Sequence, residues 1–540
     1  MKNYQRWSYV VLLGILIAPL FCDTIPGGDV SGTWYAANSP YYINGNITVQ
    51  SADTLTIEPG VDVIFLGYYL FQVLGCFEAV GSVSDSIRFM PQDTLTGWQS
   101  LSFSTGLMGT CHLSYADVRY AYNSGIRLVG AMNTYISHCS ISRCRGNFGG
   151  GGIFLDLQSD LRLSNSVIER NTALAGSGGK GGGICLWNCD SAFIDSCTIR
   201  DNRALITIYT QHWPYDSLSE GGGIFSRYGS DIAIFITNSA ITGNQVTLSN
   251  GDFAGLARGG GIYIGSTDTK ISGCAVWNNV VKSDNLGTSG EPMDGSGIYL
   301  NGPGPSSNTI ISHCDISRNQ ATALGAFNIR TNYATIENCT FFGNTHLYGL
   351  SGYAVYVAKG YGAGTDIVNC VLAYNGHGIS GQSTPCRYGD IYQDTCWNMA
   401  TGFGVLDTVN HNGDSCDVYY NIFADPAFAD TANLDLHLSA GSPCIDAGDP
   451  ASPRDPDSTI ADQGCYWYNQ VAVSESQVKK SQEHGFRGAT IFAGPLVLPG
   501  GCKCRVFDIA GRTVAPATIR PGIYFIEIDG KIAQKVIKIR

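Results

Sequence analysis

Between residues 139 and 375 apolar and polar positions alternate only in pieces of three to five residues, as in Ile310-Ile311-Ser312-His313-Cys314-Asp315-Ile316. Period two over such short runs predicts short strands, and no stretch of ten or more residues carries the spacing of an amphipathic helix. The pieces share one phrase: Cys or Ser, a spacer, an aliphatic or Phe, then Asn three places on. It runs Ser166 to Asn171, Cys197 to Asn202, Ser239 to Asn244, Cys274 to Asn279, Cys314 to Asn319, Cys339 to Asn344 and Cys370 to Asn375, with an earlier copy at Cys139 that ends in Cys144. A glycine run before an aliphatic recurs with it, at Gly150-Gly151-Gly152-Ile153, Gly181-Gly182-Gly183-Ile184, Gly221-Gly222-Gly223-Ile224, Gly259-Gly260-Gly261-Ile262 and, degenerate, Gly295-Ser296-Gly297-Ile298. A fixed period of roughly 25 to 42 residues marks a solenoid.

Short parallel strands, one set per coil, stack about 4.8 Å apart. The Cys or Ser and the aliphatic two residues later then share the inward side and repeat as ladders. Asn tolerates the left-handed conformation of a sharp turn, and its amide can bond the Asn one coil away. The predicted fold is all-β, a parallel β-helix whose coils leave only two edges. The ladder cysteines show no CxxC spacing and read as buried core thiols rather than metal ligands. The chain has 19 Cys, and Cys185 with Cys189, Cys386 with Cys396 and Cys502 with Cys504 stay open as bridges in an oxidising compartment.

Three further phrases carry resemblances. Thr54-Leu55-Thr56-Ile57-Glu58-Pro59-Gly60-Val61, followed by Val63-Ile64-Phe65, looks like the opening coils of exported right-handed β-helix proteins. Ser442-Pro443-Cys444-Ile445-Asp446-Ala447-Gly448-Asp449 is similar to the closing segment of surface-anchored members of that group. The resemblance implies a right-handed coil and says little of activity, since the fold hosts lyases, hydrolases, epimerases and adhesins. At the far end, Arg505-Val506-Phe507-Asp508-Ile509-Ala510-Gly511-Arg512, then Pro521-Gly522-Ile523-Tyr524-Phe525 and a basic-apolar finish, resembles the C-terminal sorting domain of the type IX secretion system. That likeness implies passage across an outer membrane through the type IX machinery, with the protein secreted or held at the outer surface of a Gram-negative-type bacterium. Lys2 and Arg6 before an apolar run from Tyr9 to Phe21 read as an export signal, and no later segment is apolar enough to cross a membrane. The expected organisation is a signal peptide over 1–22, an N-terminal cap and first coils over 23–130, central repeats over 131–380, and closing coils and cap over 381–470. A linker over 471–488 leads to a small β-sandwich-like sorting domain over 489–540.

Between each repeat Asn and the next glycine run lie nine residues (172–180), then eighteen (203–220), fourteen (245–258) and fifteen (280–294). Long loops therefore gather along one edge, where function is more common than in the coils. The longest holds Tyr209, His212, Trp213, Tyr215, Asp216 and Glu220, a composition that suits a glycan through ring stacking and carboxylate–hydroxyl bonds. For catalysis, the turn position two after the core aliphatic runs Arg170, Asp201, Gly243, Asn278, Arg318, Gly343 and Tyr374. Asp201 with Arg170 is the nearest thing to an acid–base pair, and Glu169 with Arg200 one place earlier reads as a surface ion pair. A glycosidase needs two acids held together, and that row offers one. Asp455, Asp457 and Asp462 are candidate oxygen ligands for Ca²⁺, though their spacing lacks the Gly and Glu of an EF-hand loop; no other cofactor is indicated. A net charge of −12 argues against nucleic acid as partner. The glycine runs recur once per coil with no helix behind them, so they are turns rather than phosphate loops. The leading expectation is a non-catalytic surface or secreted β-helix that binds extracellular polysaccharide or cell-surface glycan. The alternatives are a polysaccharide lyase or epimerase working on the same loop-lined face, and a purely structural rod.

Overall fold

The computed structural model describes residues 24–470 apart from 105–109, 148, 176–177, 207–217, 228–231, 249–255, 266–267, 284–292, 302–307, 323–326, 330–333, 348–351, 358–363 and 382–385. Beyond 470 it describes 490–493, 496, 498, 504–508, 513–516, 519, 522–528 and 531–539. The chain divides into two units, 1–469 and 470–540.

In the first unit each coil adds one parallel strand to each of three long sheets. One turn of the coil runs through Val167–Glu169 in what we call sheet 1, Ile184–Leu186 in sheet 2 and Cys189–Asp195 in sheet 3. Among the described residues these sheets hold 14, 14 and 13 strands. The register is set by inward apolar residues stacked coil on coil, such as Ile141, Ile168, Ile199, Ile241, Val276 and Ile316, all fully buried. A slip of one residue would turn every such side chain outward.

The two polar ladders explain the recurring phrase. Asn171 accepts the Cys144 N–H, and each repeat Asn from Asn202 to Asn375 accepts at Oδ1 both the backbone N–H and an Nδ2–H of the Asn one coil nearer the N-terminus, with Nδ2···Oδ1 distances of 2.9–3.1 Å. Its other Nδ2–H meets a carbonyl of the coil below, as from Asn244 to Ile199 O at 2.8 Å. Every polar atom of a fully buried amide is thereby satisfied, which few side chains could manage there. The ladder ends on Asp394, which takes the N–H and Nδ2–H of Asn375 at 2.7 and 2.6 Å. In the other ladder Ser166 and Ser239 donate to the carbonyl two residues back, at 2.7 Å in each, as the thiols of Cys197 and Cys314 do at 3.1 and 3.2 Å. Shared bonding is why Ser and Cys exchange at this place. Every cysteine among the described residues is a free thiol, including Cys185, Cys189, Cys386 and Cys396; Cys502 lies outside the described residues.

One expectation is corrected. The left-handed residue of the turn is not the ladder Asn but its predecessor: Arg170, Asp201, Asn278, Arg318 and Tyr374 have φ between 50° and 59°, and Gly243 and Gly343 take the same place at 64° and 60°. The Asn must aim its amide inward along the coil axis, so the residue before it makes the bend.

Two of the three outer faces are covered. From the repeat Asn the chain runs out as a fourth sheet, containing Thr172–Ala175, Arg203–Ile206, Gln245–Leu248 and Val280–Ser283, and returns through a three-stranded sheet of Leu218–Glu220, Leu256–Arg258 and Met293–Asp294. The long loops are thus stacked arms, with a small core of Ala204, Val246, Ala257, Val281 and Ala321 between their two legs. Toward the C-terminal end, residues 424–468 fold back as an apron over sheet 1. Phe342, Val371 and Ala373 pack there against Leu436, Leu438 and Cys444. Polar pins hold the apron down: Cys465 N–H to Thr340 Oγ1 at 3.0 Å, Arg318 Nη2 to Thr431 O at 2.9 Å, and Arg387 to Asp449 at 2.6 Å.

In the second unit the described strands form one five-stranded sheet, in which Thr490–Ala493 pairs parallel with Lys531–Ile539 and the other neighbours are antiparallel. Val506, Ile519, Tyr524 and Ile526 form its core.

Candidate functional site

The outward side of sheet 2 carries Arg127, Phe154, Cys185, Phe225, Tyr263 and Tyr299, one residue per coil, and the same register continues through Asn328 to Tyr356, Ser380 and Trp397. Outward residues on a sheet are ordinarily wet, yet Phe154, Cys185, Phe225, Tyr263 and Tyr299 are buried. The returning legs of the arms cover them. Phe225, Tyr263 and Tyr299 stack with ring centroids 5.2 Å apart at each step, and Arg127 lies over Phe154 at 4.7 Å.

Above the rings sits a column of buried charge. Lys180, Glu220 and Arg258 each immediately precede a glycine turn, whose left-handed first residue (Gly181, Gly221, Gly259) bends the chain back into sheet 2. The three are neighbours in register, and Asp294 holds the next place. Lys180 Nζ lies 2.6 Å from Glu220 Oε2, and Arg258 Nη1 lies 3.6 Å from Oε1 of the same carboxylate, which is only 4% exposed. The cations also lie over the rings, Lys180 5.4 Å from Phe225 and Arg258 5.2 Å from Tyr299. Burial pulls the Lys180 ammonium below its ordinary range while Glu220 resists the change, and burial pushes the Tyr263 phenol up. Asn301 Nδ2 donates to that phenol at 2.8 Å. Glu220 therefore locks the base of the arms and is turned away from any ligand in solvent.

Toward the C-terminal end of sheet 2 the row opens. Tyr356, Tyr353, His377 and Trp397 gather with ring centroids 5.8, 4.9 and 6.1 Å apart in succession, and Trp397 is 51% exposed. The rings lie on strands Gly352–Val357, Gly376–Ser380 and Thr395–Trp397, so a stiff scaffold fixes them.

The other sequence-derived candidates are dispersed. Tyr209, His212, Trp213, Tyr215 and Asp216 lie outside the described residues. Arg170 and Asp201 occupy neighbouring exposed turns, with no ion pair between them among the described contacts. Glu169 and Arg200 do pair, at 2.6 Å. Asp455, Asp457 and Asp462 serve the turns of the apron: Asp455 accepts the Asp462 N–H at 2.8 Å, Asp457 the Thr459 hydroxyl at 2.7 Å, and Asp462 the N–H groups of Asp446 and Tyr468 at 2.7 and 2.6 Å. Burial raises the Asp455 carboxyl and brings Asp462 to about 7. Among the described residues no group of three His, Cys, Asp or Glu is placed to hold a metal ion. The charge column was missed, although its signal is present: the residue before successive glycine runs alternates Lys180, Glu220, Arg258, Asp294.

Stacked parallel sheets, ladders along the bore and arms on one edge define a parallel β-helix protein. The chain matches the family described as "Right handed beta helix region" over residues 102–395, more than half its length, and belongs to that family. No curated protein matches it. Among solved structures it is similar to "Crystal structure of pectate lyase Pel9A", at 13% identity over 76% of this chain and 89% of that one, with a TM-score of 0.34. A likeness so distant carries neither activity nor substrate across.

Proposed function

We propose that the protein is exported, stands at or beyond the outer surface of a Gram-negative-type cell, and holds extracellular polysaccharide or cell-surface glycan on the outer face of sheet 2 without cleaving it. The observation that carries this reading is the open upper end of the aromatic row, where Trp397 is half exposed beside Tyr353 and His377 on packed strands. Rings offer apolar area together with a polar tip, which suits a sugar with one apolar face and hydroxyl edges. The charge column and ring stack hold the described legs of the arms at their roots, and packed strands hold the open rings, so the face is pre-organised. In the second unit, the phrases that resemble a type IX sorting domain fall on two paired strands, Cys504–Asp508 and Gly522–Ile528. That arrangement supports delivery through the type IX machinery.

The test is retention and turnover on a panel of neutral and acidic polysaccharides, with and without Ca²⁺, using the full chain. Trp397→Ala should weaken retention by about tenfold or more, as loss of an anchoring ring does. A variant lacking 207–217 should retain less as well. Release of oligosaccharides by the unaltered protein would contradict the non-catalytic reading in favour of a lyase or epimerase.

A further inference from the structure

The apron covers sheet 1 only over its last coils, and at the corner where sheet 1 turns into the arms the charges are sorted by sign. Arg119, Arg143, Arg145, Arg170, Arg200 and Arg203 stand there within four neighbouring coils, every one exposed. The carboxylates among them are Asp117, paired with Arg119, Glu169, paired with Arg200, and Asp201 on its own turn. Asp93 lies at the N-terminal margin, in the loop where Tyr122 meets Thr94, and accepts the Thr96 hydroxyl at 2.6 Å. Arg143 Nη1 donates to the Tyr120 hydroxyl and Arg145 lies 4.4 Å from the Tyr122 ring, while Arg170 and Arg203 pair with no carboxylate among the described residues. On a chain of net charge −12 this corner is a local reversal of sign.

Further along, the same corner turns acidic. The apron hairpin of Phe428–Asp430 and Asp435–Leu438 is pinned to it by Arg318, whose Nη2 donates to Thr431 O and Ala432 O at 2.9 and 3.3 Å. Arg318 holds the turn position that Arg170 holds four coils earlier. Asp425, Asp430 and Asp435 are exposed around the hairpin. Bonds from the Asn433 and His437 side chains keep Asp430 and Asp435 below the ordinary carboxylate range. Of the nearby cations, Arg318 is turned to backbone carbonyls and His437 meets Asp435 at 2.6 Å. Arg387 and Arg454 lie at the opposite margin, where Arg387 pairs with Asp366 and Asp449 and Ser452 meets Asn369. Between the basic and acidic ends, Thr242 and a half-buried Trp277 face outward on neighbouring strands, in reach of solvent.

We infer that this corner is an interface and that its occupant is a second copy of this chain, laid alongside with its coil axis reversed. A two-fold axis crossing the coils at Thr242 carries each coil onto the one equally far on the other side. It therefore sets Arg170 of one copy against the Arg318-pinned hairpin of the other, residues that stand four coils or roughly 19 Å apart within one chain. The same operation brings Arg119 to the coil of Tyr374, beside which Asp425 lies, and Trp277 to Arg200, a cation for an indole face. Each contact occurs twice, as an isologous interface requires. From Tyr120 to Tyr374 the corner runs eight coil steps, roughly 38 Å. At a width of about 20 Å that length supplies the ~800 Å² per copy of a standard interface. A polyanion of any kind would meet the hairpin carboxylates at the far end, whereas a second copy supplies the opposite sign at both ends. A copy added head to tail would leave one basic and one acidic end unmatched, and the assembly would not close. The glycan reading rests on sheet 2 and stands or falls separately.

The experiment is sedimentation velocity of the full chain over a range of concentrations at two salt concentrations. It compares the unaltered protein with two charge-reversed variants, Arg143→Glu/Arg170→Glu and Asp425→Lys/Asp435→Lys, each alone and mixed in equal amounts. The result expected is a dimer with a dissociation constant below about 100 μM that weakens as salt rises. Each variant alone should sediment as a monomer, and the mixture should regain the dimer, because a copy acidic at both ends then meets one basic at both. A monomer at every concentration, a dimer that persists in either variant alone, a mixture that stays monomeric, or growth beyond the dimer would each overturn the inference. All four positions are exposed, so unchanged thermal midpoints, with the milder pair Asp425→Asn/Asp435→Asn beside them, separate lost association from lost fold.

Discussion

Two covered faces of one coil are buried by opposite means. The arms lie over sheet 2 on a compensated column, where Glu220 serves both Lys180 and Arg258 and the cations rest on rings. The apron is pinned over sheet 1 by one ion pair, Arg387 to Asp449, but beneath it lie uncompensated acids. Asp390 is fully buried with only the Ala424 N–H and the Cys444 thiol as partners, at 3.0 and 3.3 Å, and Asp315 Oδ1 meets no donor among the described residues. Burial accordingly raises Asp390 to about 7 and Asp315 to about 6. The difference teaches that a β-helix can seat an extra layer either on ion pairs, which tolerate pH, or on protonated acids, which do not.

The largest break in that comparison is Glu220→Ala. It removes the carboxylate that serves both Lys180 and Arg258, the partner they share among the described ion pairs, and removing one partner of a buried pair costs about 3–5 kcal/mol. Denaturant unfolding should register the loss in the first unit, and Glu220→Gln should be milder.

Next comes the pH dependence of the apron. The folded Asp390 carboxyl, at about 7, lies above its ordinary 3.8, so between those values the folded chain holds a proton the unfolded chain has released. Stability is then full below about 4 and falls as pH rises through 7, at about 1.4 kcal/mol per tenfold change in proton affinity. Asp390→Asn should flatten that slope, matching the unaltered protein near pH 4 and exceeding it near pH 8. Thermal midpoints taken across pH check it. A slope that survives the substitution would transfer the effect to Asp315 or Asp462.

The smallest expected effect sharpens the ladder account. Cys339→Ser should change stability by less than about 1 kcal/mol, a surface-like value at a fully buried site, because Ser166 and Ser239 already make the same bond to the carbonyl two residues back. Cys339→Val, which donates nothing, should cost more in the same unfolding assay.

The coils were legible because their signal is local: the Cys or Ser, the aliphatic and the Asn fall within six residues of one another. Propensity favours Asn as the bend of the turn, and only the stacked coils reveal that Arg170, Asp201 and Tyr374 bend so that Asn can pair along the axis. The charge column was harder, because it joins residues 36–40 apart whose alternation appears only once the glycine runs are aligned. The apron was out of reach: Asp435–Leu438 forms a strand, but nothing local says that it lies over Phe342 and Val371. The open rings Tyr353, His377 and Trp397 were invisible for the same reason, since three separate coils bring them together.

The most direct test of the glycan-holding face is amide exchange of the full chain with and without the polysaccharide it retains best. The account predicts added protection at Gly376–Ser380 and Thr395–Trp397, the last coils of sheet 2 beside the open rings, and its loss in Trp397→Ala. Protection confined to sheet 3, or spread over no strand in particular, would contradict it.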